Sequence, residues 1–495
     1  MDPTHNPDAW VWITNLPPVT QWERESISLC IWTSQSAQGS LNLSTVKIFQ
    51  NPNHYGTFSI TIDANISITL WTSKSLPIEN KGHQAFSEKT ILHLFFDIVA
   101  GVLRYGPNKR SSYRMPPVPI DEEFPSIFNL AFLTLTLLVC IYEAPQDLLC
   151  ECVDTLRLHL ITSSARQATK LLVRIFGSNL EEQWMRSVNL AITNLMVERE
   201  ASNHSFRSPS PLFSYAFSAI KLWKAQVYCP IIAINVEDPS ATTHDERLLF
   251  SLNYQQLEAS VQFSYKVIFQ ENWIDIVVKV DNIRCNVSSL VSDALMSTRG
   301  YGTKEKFFPS RISLQLTPTI QTDVLSVSVG KSSDNPTQEI GLEKGIESSF
   351  DPRNLKVSAS ESVTMSMKLW KFEQSVYGNS VIFNWFLHDG VNGREVFSSK
   401  PSKCAIFQRR SWFRNRYSSV YRPFTKQGGV VFAEDEYGKS VWWKVNGEAA
   451  EKIMEWEIRG RIWLTYWPNK HITFHNETRM LEFRQLVHIP LAKVA

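Results

Sequence analysis

One stretch restricts this chain more than any other: Ile127 to Tyr142, IFNLAFLTLTLLVCIY. It shows neither the two-residue alternation of a half-buried strand nor the one-sided stripe of a surface helix, so it must be covered on all sides, by protein or by lipid. A membrane span needs about 20 apolar residues, and roughly 18 is the lower threshold. This run is shorter and carries Asn129, Thr134 and Thr136. Asp121-Glu122-Glu123 and Glu143 bound it, and the nearest basic residue, Arg114, lies beyond a Pro-rich turn. Membrane anchors are usually flanked by Lys or Arg. A buried core helix is expected here, and no transmembrane span.

On either side of the run the pattern changes. Ile27–Ile31, Val46–Ile48, Phe58–Ile62 and Ile66–Leu70 alternate between Asn, Pro and Gly turns, which is a strand signal. From Ser87 the apolar residues recur at helical spacing to Gly106-Pro107. Residues 146–176 read as amphipathic helix ended by Gly177; Ser178-x-x-Glu181 then reads as a capping box, and Leu212–Lys224 as a last helix. Beyond Leu248 the alternation persists to the end, first in Leu248, Phe250, Leu252 and Tyr254. Gly460 suggests a bulge or bend inside a long strand, and Gly330–Asp351 a disordered loop. The expected fold class is α+β, with an N-terminal β segment (1–80), a helical region (81–226) and a β-rich, antiparallel, sandwich-like C-terminal half (227–495). The helices would pack as a layer against the sheet.

An apolar fraction of 43% and a charged fraction of 20% are those of a folded globular chain. The net charge of +2 supplies no overall field for nucleic acid or acidic lipid, so any such binding must be local. The N-terminus, MDPTHNPDAW, resembles neither a secretory signal nor a transit peptide, and the seven cysteines are odd in number and scattered. Together these point to reduced thiols in a cytoplasmic or nuclear protein, not a secreted one. Cys150-x-Cys152 matches no redox or zinc spacing.

The most unusual polar feature is Lys403–Lys426, KCAIFQRRSWFRNRYSSVYRPFTK, which has no acidic residue. Arg409, Arg410, Arg414, Arg416, Arg422 and Lys426 alternate there with Trp412, Phe413, Tyr417 and Tyr421, and Trp442 and Trp443 follow nearby. Guanidinium forks match phosphate, and rings stack on bases or enter a lipid interface. The expected partner is anionic: an acidic protein, phospholipid or nucleic acid. The bland alternative folds this loop back on the protein's own acids, such as Glu434-Asp435-Glu436.

His471, His475, Glu477, Glu482 and His488 invite a metal reading, but alternate strand positions hold two imidazoles too far apart for one zinc. Neither metal nor cofactor is expected. Gly-x-Ser-x-Gly, a Cys/His signature and phosphate-cradling glycine loops are missing; Gly300-Tyr301-Gly302 meets Glu305 where a third Gly belongs. Glu455 and Glu457 beside Arg459 and Arg461 suit cross-strand ion pairs better than acid–base catalysis. The expected function is therefore a non-catalytic binding or scaffold protein. The alternative is an enzyme, such as a hydrolase, with a site assembled from distant residues.

Four phrases, Asn179–Asn194, Ser210–Ala233, Phe308–Thr317 and Trp456–Lys470, resemble a plant-specific family with no assigned activity. The resemblance implies a plant source and an intracellular role, and carries no functional residue across.

Overall fold

The computed structural model describes residues 7–34, 39–48, 55–78, 85–107, 118–201, 209–238, 243–302, 304–330, 338–344, 361–367, 370–388, 395–396, 429–433, 440–469, 471, 473 and 475–492. The chain opens with α1 (Ala9–Thr14), capped by Asp8, whose carboxylate accepts from the Val11 amide at 2.9 Å. Next come β1 (Ser26–Thr33), β2 (Ser40–Ile48), β3 (Tyr55–Asp63) and β4 (Ser67–Thr72), an antiparallel meander in chain order, with β5 (Leu76–Pro77) added to β3. These four long strands are where alternation places them.

The helical layer is α2 (Glu88–Arg104), α3 (Phe124–Glu143), α4 (Gln146–Leu160) and α5 (Ser163–Ala201). Ser87 caps α2 by accepting from the Thr90 amide at 3.3 Å. The apolar run is α3, and it packs against α1, α2, α4, α5 and β4. Among the described residues α3 is long and apolar enough to cross a membrane, yet 78% of its most apolar window is buried inside the protein. Its polar residues are satisfied locally: Thr134 and Thr136 donate to the Leu130 and Phe132 carbonyls at 2.7 and 2.8 Å. Asn129 ties α1 down by accepting from the Trp10 amide and donating to Asp8, both at 3.0 Å.

The C-terminal half comprises β6 (Ser214–Ala219), β7 (Leu222–Pro230), β8 (Asn235–Asp238), α6 (Glu246–Asn253), β9 (Gln255–Phe269), β10 (Trp273–Ser289) and α7 (Asp293–Arg299). There follow β11 (Phe308–Pro318), β12 (Val324–Val329), β13 (Gln338–Lys344), β14 (Glu361–Met367), β15 (Trp370–Tyr377) and β16 (Ser380–Leu387). The last strands are β17 (Gly429–Ala433), β18 (Ser440–Asn446), β19 (Ile453–Tyr466) and β20 (Glu477–Pro490). One sheet runs β12-β18-β10-β9-β7-β6 with β17 added to β10; the other runs β15-β16-β11-β19-β20-β8. Their pairings are antiparallel, and β13 with β14 forms a separate hairpin. Large rings knit the two sheets: Trp456 lies 5.7 Å from Trp223 and meets Trp443 edge-on at 4.6 Å. The fold is thus α+β, with a sandwich-like C-terminal half.

Local readings fail at five places, each for a physical reason. Leu212–Lys224 is not a helix but the β6–β7 hairpin, turned at Lys221 (φ 64°), because β7 pairs with β9 along its length. Leu248–Tyr254 is not a strand but α6, since Asp245 caps it by accepting from the Arg247 and Leu248 amides, both at 3.1 Å. Within Gly330–Asp351, residues 338–344 form β13, and most of the rest lies outside the described residues. Gly460 makes no bulge; it pairs in register with Phe483, and a Cβ there would collide with that ring. Gly177 does break α5 (φ 74°), but Glu181 does not reach back as a capping-box partner. Its carboxylate is buried at the boundary between α5 and the sheet, under the influence of Lys224 and Tyr228.

Candidate functional site

Where the C-terminal ends of α2 and α3 approach α6 and α7, the fold leaves an open cleft of about 1110 Å³. Small-molecule sites span about 300–1,000 Å³ and are mostly apolar with a few polar groups. Two ring pairs wall it. On the helical side Tyr105 and Tyr142 stack at 4.9 Å and 7° between planes. Gly106 permits this approach, because a side chain there would press on Ser187 of α5. On the other side the rings of Phe250 on α6 and of Tyr254, which caps its end, lie 4.6 Å apart. The Arg299 guanidinium sits over Phe250 at 5.4 Å, and Leu190, Val291 and Leu295 add aliphatic surface.

The polar groups are few and defined. Asn194 donates to the Tyr142 hydroxyl at 3.1 Å. Burial, and then the Glu143 charge, pushes Tyr105 up to about 12. Burial also raises Tyr142 and Tyr254, so all three phenols stay neutral donors at physiological pH. Glu143 and Arg299, both exposed, supply opposite charges on the cleft lining.

A hydrogen-bonded knot holds the α6–α7 wall in place. Arg247 donates to the Gly300 carbonyl at 2.9 Å, and the Tyr301 amide donates to Ser251 Oγ at 2.6 Å. The Tyr301 hydroxyl donates to Asp245 at 2.9 Å, and His471 Nε2 lies 3.2 Å from the same carboxylate. His471 packs on Tyr301 at 3.8 Å, with Arg247 5.1 Å from that ring. Desolvation raises the Asp245 pKa, but the Leu248 amide, the Tyr301 hydroxyl and His471 outweigh it and leave the carboxyl lowered. Buried Glu305 anchors the same loops, accepting from the Tyr466 hydroxyl at 2.7 Å and the Asn469 and His471 amides at 3.2 and 3.0 Å.

A second polar cluster fills the seam between α5 and the sheet. Arg186 forks onto buried Glu258, with Nε and Nη2 at 2.7 and 3.1 Å from its two oxygens. Ser288 and Gln256 complete Glu258 at 3.0 and 2.8 Å, and Asn189 extends the chain to Gln256 at 2.6 Å. Arg284 pairs with Glu182. Glu181 is 1% exposed, and burial raises its pKa to about 8 against the lowering pull of Lys224 and Tyr228. These residues do not line the cleft, so the cluster is a closed structural seam.

The residues singled out from sequence fall unevenly. Arg409, Arg410, Trp412, Phe413, Arg414, Arg416, Tyr417, Tyr421, Arg422 and Lys426 all lie outside the described residues. Trp443 is fully buried, with its Nε1 donating to Asn379 O at 2.9 Å, so only Trp442, 41% exposed, remains available to a partner. The histidines each take a separate carboxylate: His471 with Asp245, His475 with Glu477 and His488 with Glu455. No group of metal-ligating side chains gathers among the described residues. Cys152 is buried and Cys150 exposed, on different faces of α4. Glu457 pairs with Arg484, and Glu482 with Arg459 and Arg461, across β19 and β20.

No protein-family model matches this chain, and no curated protein matches it. The resemblance to a plant family therefore rests on the four phrases alone. Similar solved structures include Clostridium perfringens delta-toxin, 11% identical over 56% of this chain and 93% of the toxin, with a TM-score of 0.23. The Clostridium perfringens NetB toxin in its membrane-inserted form is 8% identical over 56% of this chain and 93% of its own, at a TM-score of 0.19. A chain described as a pore forming protein is 8% identical over 56% and 99%, at 0.20. Likeness this slight carries no argument about fold or function.

Proposed function

We propose that this chain is a non-catalytic binding protein, and that the cleft between the helical layer and α6–α7 is its seat for a small ligand. The supporting observation is the cleft itself: two ring pairs, aliphatic side chains and a few oriented polar groups around about 1110 Å³. The basic, aromatic-rich segment Lys403–Lys426 is proposed as a separate seat for an anionic partner, on composition alone.

The enzymatic alternative draws on the Asp245, His471 and Tyr301 group, the nearest approach to an acid–base constellation. Those three residues are spent on one another and on the α6 cap, and none lines the cleft. Binding is the reading we prefer.

The test uses N-phenyl-1-naphthylamine, a neutral dye that brightens in apolar sites. Saturable binding at one site is expected, and Ala294→Trp, which fills the cleft from the exposed face of α7, should abolish it with the fold intact. Dye binding that ignores this substitution, or no binding at all, would refute the cleft as a seat. For the basic segment, anionic liposomes and single-stranded nucleic acid are titrated across a salt series. Arg409, Arg410, Arg414 and Arg416 changed together to Ser should remove the salt-sensitive binding.

A further inference from the structure

Among the described residues that line the cleft, Arg299 is the cationic one. It ends α7, is exposed, and has no carboxylate partner among the described residues. Instead its guanidinium carbon lies 5.4 Å from the centre of the Phe250 ring. Exposed Arg459, Arg461 and Arg484, by contrast, are each committed to a glutamate. An unpaired fork braced on an aromatic ring, beside a cleft walled by flat rings, is suited to a carboxylate, sulfonate or phosphate. The phenols of Tyr105, Tyr142 and Tyr254 supply neutral hydroxyls on the same lining.

From this geometry we infer that the cleft takes a small planar aromatic acid, its rings against the tyrosine and phenylalanine pairs and its anionic group on the Arg299 fork. This rests on the cleft being a binding seat, and it adds the charge and shape of the ligand. A free anion without rings would find a single exposed guanidinium, which is too little to hold it. A neutral ring system would leave the fork unused. The combination selects against both.

Two dyes with the same ring system separate the claims. 8-Anilinonaphthalene-1-sulfonate carries an anion that N-phenyl-1-naphthylamine lacks. The sulfonate should bind the wild-type protein more tightly than the neutral dye. Arg299→Gln should weaken the sulfonate by about tenfold or more, the range of a charge-assisted hydrogen bond, and shift the neutral dye far less. Arg299→Glu should weaken it further, and inorganic phosphate alone should not compete. If both dyes bind equally and Arg299→Gln changes neither, the aromatic-acid inference is overturned while the cleft survives as a seat. If neither dye is sensitive to Ala294→Trp, the seat itself is wrong and the inference falls with it. Because Arg299 is exposed, both variants should fold.

Discussion

Two sets of carboxylate–guanidinium pairs lie in different surroundings. In the seam, Arg186 and Glu258 pair with side chains 18% and 2% exposed. On the outer face of β19–β20, Arg459 and Glu482 pair with 46% and 36% exposed. Chemistry and distance are alike, at 2.7 and 2.5 Å. What differs is water. A buried charge that loses its partner is stranded in a medium that solvates it poorly, whereas an exposed one is rehydrated at once. The seam should therefore fix how α5 sits on the sheet, while the outer pairs mainly keep that face polar and soluble.

The largest effect should come from breaking the seam on one side only. Glu258→Leu would leave Arg186 and the amides around Glu258 unpaired, at a cost of about 3–5 kcal/mol in urea unfolding. Adding Arg186→Met should recover much of that loss, since it removes the stranded charge. A single substitution costing under about 1 kcal/mol would put the seam on the same footing as the exposed face.

Next in size is a pH effect confined to the seam. Glu181 is raised from its ordinary 4.5 to about 8, by burial first, with Lys224 and Arg284 opposing and Glu182 adding to it. The native state thus keeps a proton that the unfolded chain releases between those values. The resulting stability is complete below about pH 4.5 and is lost as pH rises through about 8, because the native state binds more protons in that window. Glu181→Gln should remove that slope, and relative to wild type gain on the order of 2–4 kcal/mol above pH 8. Parallel urea midpoints of the two proteins across this range decide it; identical pH profiles would mean that Glu181 is not the titrating group.

How much of this could be read from the chain depended on distance along it. The outer pairs were legible, because Glu455, Glu457, Arg459 and Arg461 repeat every two residues and so share one strand face. So was α3, whose unbroken apolarity admits few other placements. The seam was not: Glu181 lies three residues after Ser178 and imitates a capping box, and its neighbours Lys224 and Arg284 come from strands far along the chain. The cleft was still less visible, since Tyr105, Tyr142, Tyr254 and Arg299 come from four elements or their ends. A local signal did exist in Asp245 before the Phe250 and Tyr254 pair. Over a helix as short as α6, alternation of Leu248, Phe250, Leu252 and Tyr254 fitted a strand equally well.

The smallest predicted effect is the one that completes the comparison. Glu482 accepts from Arg459 at 2.5 Å and lies 3.5 Å from Arg461, its direct partner across β19 and β20. Two attractions converge on one carboxylate, but all three side chains are more than a third exposed. Water and salt screen each of them, and the long arginine stems lose rotamer freedom when they pair. Glu482→Ala should therefore cost about 0–1 kcal/mol, and raising the salt to about 1 M should shrink even that. The Glu258→Leu penalty should hardly change with salt, since counterions do not reach the seam. Equal salt sensitivity at the two sites would show that the seam is wetter than its packing implies, and a Glu482→Ala cost above about 2 kcal/mol would place the controlling factor in geometry instead of burial.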